Sequence, residues 1–266
     1  EQPIKGYGAA LLAGFSKARG KYVIMMDSDS TYDPSQIPTI LDLLRKGNEF
    51  VNGSRLSGNM EPRAMPFLHR WLGIPILGWM VRIISQSQLT DSHCGIRGFH
   101  KKRMAELNLC SEGMELASEM LIKAARNKLK TAEFSANYRI RHGSSKLNTF
   151  QDGWRHLKLI IAYSPSHFLI VPGLLFAITG FLLNVVLLKG PLYIGEFMID
   201  YHFMILLSLT MFLGIQMFIV GIYGKTYALS QGTIGLDPIF RWGRKWLTLE
   251  RGIMIGLAIL SLGTTI

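Results

Sequence analysis

The sequence predicts an α/β domain with a parallel or mixed sheet and flanking helices, followed by interfacial helices and a transmembrane C-terminal region. Three observations predict it. Helical and extended segments alternate at short spacing from Gly6 to Arg55, as they do where strands are joined by helices. The extended run Lys21–Met26 stops abruptly at two carboxylates, Asp27 and Asp29. Ligands of open α/β sheets sit just beyond such strand ends. Beyond residue 165 come two long uncharged runs, each matching the ~20 residues that cross a bilayer.

Gly6–Ala18 (GYGAALLAGFSKA) reads as a helix rich in small residues, with Gly20 placed to close it in the left-handed conformation. Lys21–Met26 follows as a strand. Pro34 stands early in the next helix, Pro34–Lys46, where its missing N–H costs little, and Gly47 closes it. Glu49–Gly53 is the next strand, ending at Ser54-Arg55. Pro66–Gln86 combines tryptophans and long aliphatics with His69, Arg70 and Arg82 and has no acid. Its apolar side suits a core face and a membrane interface alike. Thr149–Tyr163 has the same mixed character and leads through Ser164-Pro165 into the first apolar run, so it reads as an interfacial connector. The expected units are a domain over 1–148, a connector over 149–165 and a membrane region over 166–266.

The expected spans are Phe168–Leu188 and Phe203–Tyr223. Ile253–Ile266 is apolar but, at 1.5 Å per residue, too short for ~30 Å of hydrocarbon, and reads as a truncated span. Glu1-Gln-Pro is neither an initiator nor a signal peptide, so the beginning reads as cut too. Lys189–His202 sets one lysine against Glu196 and Asp200, whereas Gly224–Gly252 carries Lys225, Arg241, Arg244, Lys245 and Arg251. The positive-inside rule puts the second segment in the cytoplasm, and two crossings return the N-terminal domain to the same side. The net charge of +11 asks for anionic partners. With no base-reading motif, and basic residues adjoining apolar runs, lipid head groups and phosphorylated substrates fit better than nucleic acid. Cys94 and Cys110 are isolated, which excludes a cysteine-built zinc site or a disulfide framework and suits a reducing compartment.

Four segments carry chemistry. Asp27 and Asp29, with Asp33 further on, suit an oxygen-preferring divalent cation that holds a diphosphate. The rival is a turn whose aspartates cap the next helix. An EF-hand loop fails, since its sixth position is Tyr32 and its twelfth Pro38. Asn52-Gly53-Ser54-Arg55 offers a glycine for close approach and an arginine fork for phosphate, or simply a solvated arginine. Asp91-Ser-His-Cys-Gly95-Ile-Arg97-Gly98-Phe99 joins an acid, a glycine turn and an arginine. Arg139-Ile-Arg141-His142-Gly143-Ser144-Ser145-Lys146-Leu147 is a basic loop before the membrane, equally fit to clamp phosphate or to meet lipid head groups.

Taken in order, DSD with its trailing TYD, GSR, HRWLG, DSHCGIRGF, GMELASEMLIKAA, RHGSSKL, DGWRHLKL and SP resemble the dolichyl-phosphate mannose and glucose synthases. These are family 2 glycosyltransferases of GT-A fold that make polyprenyl-phosphate sugars. The later YGKTYA and LERG segments resemble bacterial members with additional membrane helices, so the resemblance covers nearly the whole chain. It implies a GT-A-like catalytic domain over 1–148 that lacks its first strands. It also implies an inverting, cytoplasmic transfer from a nucleotide-sugar to a polyprenyl phosphate with Mg²⁺ or Mn²⁺. Asp27 and Asp29 would hold the metal and the donor diphosphate. Arg141, Ser145 and Lys146 would close on donor phosphates at the membrane edge. Arg55, Arg70 and Arg97 would meet the acceptor phosphate, and Asp91 would lie beside the reacting sugar. The chain departs from the family in lacking the usual opening strand and base-gripping loop, and in having Ser30-Thr31 after DSD. A processive polysaccharide synthase fits less well, because Gln151-Asp-Gly-Trp154-Arg155 reverses the last two residues of the expected motif. A membrane protein with a decayed transferase domain is the non-enzymatic alternative. Membrane lipids are expected partners and an oligomer is compatible with the sequence.

Overall fold

A four-stranded mixed sheet carries the first of two units, Glu1–His167. The computed structural model describes residues 5–62, 64–85, 89–141, 149–195, 197–230, 234–235, 238–246 and 248–265. The strands are β1 (Tyr22–Met25), β2 (Phe50–Ser54), β3 (Arg97–His100) and β4 (Thr131–Ser135), in the order β1-β3-β2-β4. β3 runs antiparallel to both neighbours, with Arg97 opposite Met25 and Asn52, while β2 and β4 are parallel.

Side chains alternate across β3, and that alternation sets the layers. A Cβ on Gly98 would lie 2.2 Å from Ile40 Cγ2, so glycine here lets helix α2 (Ile37–Arg45) rest directly on one face. Phe99 points the other way and meets Phe15 of α1 (Tyr7–Lys17) edge to face at 4.8 Å. Arg97, on that same side, reaches α5 (Leu116–Arg126). The short α4 (Lys101–Ala105) continues from β3. Phe50, Val51, Ile40, Ile96, Leu116 and Met120 are fully buried between these layers.

Gly20 does not close α1 in the left-handed region. The helix ends at Lys17 because Ala18 turns extended, with φ −58° and ψ 138°. Gly47 does take the left-handed conformation, at φ 90°, and stops α2. Pro34 opens a 3₁₀ turn, Pro34–Gln36, capped by the Asp33 carboxylate on Ser35 N–H.

Pro66–Gln86 becomes a π-helical turn, His69–Gly73, followed by α3 (Ile74–Ser85). Its apolar residues divide between core and surface. Ile74, Gly78, Met80 and Val81 are buried, whereas Phe67, Leu68, Trp71, Leu72, Ile76 and Trp79 are exposed. α6 (Thr149–Tyr163) packs against α3 and α5, burying His156, Ile160 and Tyr163 and exposing Phe150 and Trp154.

The second unit, Phe168–Ile266, holds α7 (Val171–Leu187), the hairpin β5 (Leu192–Ile194) and β6 (Phe197–Ile199), α8 (Tyr201–Ser230), α9 (Pro238–Trp246) and α10 (Leu249–Thr265). Two helices, Ser166–Leu187 and Tyr201–Ser230, are long and apolar enough to cross a membrane. α7 and α8 approach closely through small residues: a Cβ on Gly214 would fall 2.3 Å from Ala177 N. Small residues at such contacts are how helices associate where water does not drive them together.

Candidate active site

β1 ends at Met25, and the turn that follows folds Asp27 and Asp29 back against two other segments. Tyr7 Oη–H, from α1, donates to Asp27 Oδ1 at 3.0 Å. The other Asp27 oxygen packs on Gly95, where a Cβ would sit 2.0 Å from Oδ2. Gly95 N–H in turn donates to the buried Tyr32 Oη at 2.7 Å. Burial pushes the Asp27 carboxyl above the usual carboxylate range against the pull of the Tyr7 hydrogen bond, and the nearby Asp29 charge adds to the rise.

Asp29 stands differently. Ser30 holds φ 66°, in the left-handed region a serine seldom adopts. Thr31 N–H and Oγ1–H then reach back to Asp29 Oδ1 at 3.2 and 2.5 Å. Arg141 Nε takes Oδ2 at 2.6 Å. Burial opposes ionisation, but the Thr31 and Arg141 contacts outweigh it and hold Asp29 below the usual range. The backbone secures this arrangement: Arg139 N–H donates to Thr31 C=O at 2.9 Å, Tyr32 bridges Tyr138, and Arg139 pairs with Asp33. Asp33 thus caps a helix and pairs with an arginine, so only half of the capping alternative applies to this loop.

Beside them lies a buried ion pair. Arg55 Nε and Nη2 donate to Asp91 Oδ2 and Oδ1 at 2.6 and 2.8 Å, and Arg55 N–H adds a third contact at 3.1 Å. His93 N–H donates to Asp91 Oδ1 at 3.0 Å. Asp91 has no exposed surface and Arg55 almost none. Burial alone would raise the Asp91 pKa; the guanidinium overrides it and leaves it lowered. Arg55 also lies 5.4 Å from the centre of the Tyr138 ring.

Of the expected site residues, the turn after β1 brings together Asp27, Asp29 and Arg141, and the next loop pairs Arg55 with Asp91. Arg97 is fully buried, with Nη1 on Ala117 C=O and Nη2 on Ser92 C=O, both at 2.7 Å. Its guanidinium braces α5 to the 91–95 loop through these two carbonyls. Arg70 is exposed on the π-helical turn, 5.6 Å from the Trp71 ring centre. Ser145 and Lys146 lie outside the described residues.

Several contributors carry little signal in the sequence. Tyr7 acts across twenty residues. Glu133, on β4, accepts from Thr90 N–H and Oγ1–H at 2.8 Å each, while Asn52 Nδ2 donates to Asp91 C=O at 2.8 Å. An acid inside a short strand is the one sign that could have pointed to Glu133.

Two carboxylates with no third acid, histidine or cysteine grouped with them among the described residues make an incomplete cage. Such a set fits Mg²⁺ or Mn²⁺, which use one or two carboxylates and complete their shell with substrate phosphates and water. Asp27 fits particularly well: it is half-buried, and among the described residues no cation pairs with it.

Residues 1–105 match the family Glycosyl transferase family 2. A low-salt glycan biosynthesis hexosyltransferase, Agl6, of Haloferax volcanii is 33% identical over 97% of this chain and 62% of its own. A dolichyl-phosphate hexose transferase of the same organism is 29% identical over 58% of this chain and 65% of its own. The chain spans less than two thirds of the length of either relative. A crystal structure of glucosyl-3-phosphoglycerate synthase from Mycobacterium tuberculosis is 16% identical, covering 60% of this chain and 56% of that one, with a TM-score of 0.46. The mixed sheet with helices on both faces is the GT-A-like architecture that the resemblance implied.

Proposed function

This chain carries a Glycosyl transferase family 2 domain, and from that premise we propose that it transfers a sugar from a nucleotide-sugar to a polyprenyl phosphate, with inversion, at the cytoplasmic membrane face. One observation carries the reading: of the two strand-end carboxylates, Asp29 is paired with Arg141, from the segment that leads toward the membrane helices, while Asp27 beside it is held by Tyr7 and has no cation partner among the described residues. Acidic groups for a cation and a basic group for phosphate therefore share one turn. The dolichyl-phosphate relative supports the acceptor class.

Asp27 and Asp29 would hold Mg²⁺ or Mn²⁺. When bound, the cation neutralises the charge of the leaving nucleoside diphosphate. Arg141 is placed to exchange the Asp29 carboxylate for a phosphate oxygen. The acceptor monophosphate, with a second pKa of about 6, is already ionised near neutrality and needs positioning rather than a base. Asp91 accordingly serves as the counter-charge that orients Arg55 toward the acceptor side, beside the reacting sugar. Arg70 and the exposed Phe67, Leu68, Trp71 and Trp79 give the acceptor's lipid end an interfacial platform.

The test incubates the purified protein with radiolabelled nucleotide-sugars and either dolichyl or undecaprenyl phosphate, with Mg²⁺ or Mn²⁺. A lipid bearing one sugar of inverted anomeric configuration is expected. A polymer would assign the chain to the processive synthases, and no lipid product with any donor would end the proposal.

A further inference from the structure

A chain of polar side chains, three of them buried and His93 partly so, lies behind the Asp91 loop, and the transfer chemistry above makes no use of it. Ser92 Oγ is 2.8 Å from His93 Nδ1, and His93 Nε2 is 3.1 Å from His156 Nδ1. Ser118 Oγ, on α5, lies 3.0 Å from His156 Nδ1 and 3.5 Å from His93 Nε2. The two imidazoles meet edge to face, with centroids 4.2 Å apart. Three parts of the fold thus converge on one contact: the loop after α3, helix α5 and helix α6.

Each end of this chain reaches something relevant. On one side, His93 donates its backbone N–H to Asp91, whose carboxylate fixes Arg55. On the other, His156 belongs to α6, whose opposite side exposes Phe150 and Trp154. Burial, with Arg97 nearby, lowers the His156 pKa to about 4, and burial together with His156 lowers that of His93. The contact is therefore made by two neutral rings at any ordinary assay pH. Neutral rings share a single N–H here, so one must donate and the other accept, which restricts both orientations. Apolar side chains of similar size would pack without the desolvation cost and without that restriction.

We propose that His93 and His156 are a positioning pair that transmits the seating of α6 to the Asp91–Arg55 loop. Arg55 then faces an anionic acceptor only while the helix is docked. This rests on the transferase reading above. It adds that the helix bearing the exposed aromatic residues governs acceptor binding and leaves donor binding alone.

The experiment compares His156→Ala and His156→Asn in the whole protein; the asparagine amide restores a polar group near the Nδ1 position. Hydrogen exchange without substrate is expected to speed up across 90–97 in the alanine variant, to stay unchanged in β4, and to return toward normal with asparagine. In turnover, the acceptor KM is expected to rise about tenfold with donor KM unchanged, as a displaced binding group would cause. Unchanged exchange at 90–97, equal rises in both KM values, or an asparagine variant no better than alanine would each overturn the proposal. Should His156→Ala fail to accumulate folded, Ser118→Ala removes only the bridging hydroxyl and is read by the same exchange measurement. Exchange needs no turnover, so it decides the coupling even if the transferase reading fails.

Discussion

Asp27 and Asp29 are two residues apart yet titrate in opposite directions, and that contrast predicts how a metal would bind. Asp29 is already ionised by its partners and has no proton to lose. Asp27, raised by burial, keeps its proton to a higher pH than a free carboxyl. Cation ligands must be deprotonated, so affinity should climb as pH rises through the raised Asp27 pKa and level off above it. Calorimetric titration with Mn²⁺ in buffers of different ionisation enthalpy should show proton release on the rising limb and none on the plateau. A flat affinity across both ranges would remove Asp27 from the ligand set. Asp29→Ala is expected to cost about 10²-fold or more in turnover with the fold intact, as losing one electrostatic stabiliser does. The Arg55–Asp91 pair predicts something different, because Asp91 is fully buried and Arg55 nearly so. Asp91→Asn would leave a buried guanidinium without its counter-charge, at a cost of about 3–5 kcal/mol of stability. Thermal unfolding measures it directly. The Asp91 pKa is depressed in the folded state, so its contribution is complete above the ordinary carboxylate range and is lost only as pH falls through the depressed value. An Asp91→Asn variant as stable as the parent would mean that the pair opens in solution.

At the level of elements, the loop 91–98 links the fold to the site. Gly95 lets the Asp27 carboxylate approach and Gly98 lets α2 approach, three residues apart on one connection. Gly95→Ala should therefore displace Asp27 and abolish metal-dependent turnover while leaving circular dichroism close to the parent's; Asp27 would have to yield, since the clash at 2.0 Å is with its own carboxylate oxygen. Full activity in that variant would show that the turn relaxes without consequence. This loop also marks where sequence reading stops. β1, α2, β2, α6 and the two long apolar helices were legible because each has a hydrophobic run with a proline, glycine or acid at its boundary. β3 was not: Arg97-Gly-Phe-His has no alternation to see, and its arginine belongs inside only because the Ala117 and Ser92 carbonyls await it. For the same reason, placing Arg97 at an acceptor phosphate followed from its residue type alone, and its pairing with these two carbonyls could not be read from the sequence. Motif order brought out Asp27, Asp29, Arg55 and Asp91, but pairings such as Tyr7–Asp27 and His93–His156 depend on tertiary contacts that leave no local pattern.

For the molecule as a whole, the open question is which side of a bilayer holds the site, and the charges answer it with a testable orientation. The segment after α8 carries Arg241, Lys245 and Arg251, whereas the turn between the two apolar helices holds Lys189 against Glu196 and Asp200. Positive charge is retained on the cytoplasmic side, and crossings by both of the helices long and apolar enough to span would be an even number. The first unit and the α9 segment should therefore share the cytoplasm, with the β5–β6 turn opposite. The protein carries its own reporter, because Cys110 is an exposed thiol of the first unit while Cys94 is buried, its thiol pKa pushed up to about 12 by its surroundings. In intact cells, a membrane-impermeant maleimide should leave Cys110 unlabelled until the membrane is opened. In a Cys110→Ser background, a cysteine at Tyr193 should label at once and one at Lys245 only after permeabilisation. The reverse pattern would put the site on the outer face, away from cytoplasmic nucleotide-sugars. Early labelling at both 193 and 245 would mean that one apolar helix does not cross, and the positive-inside argument would fail with it.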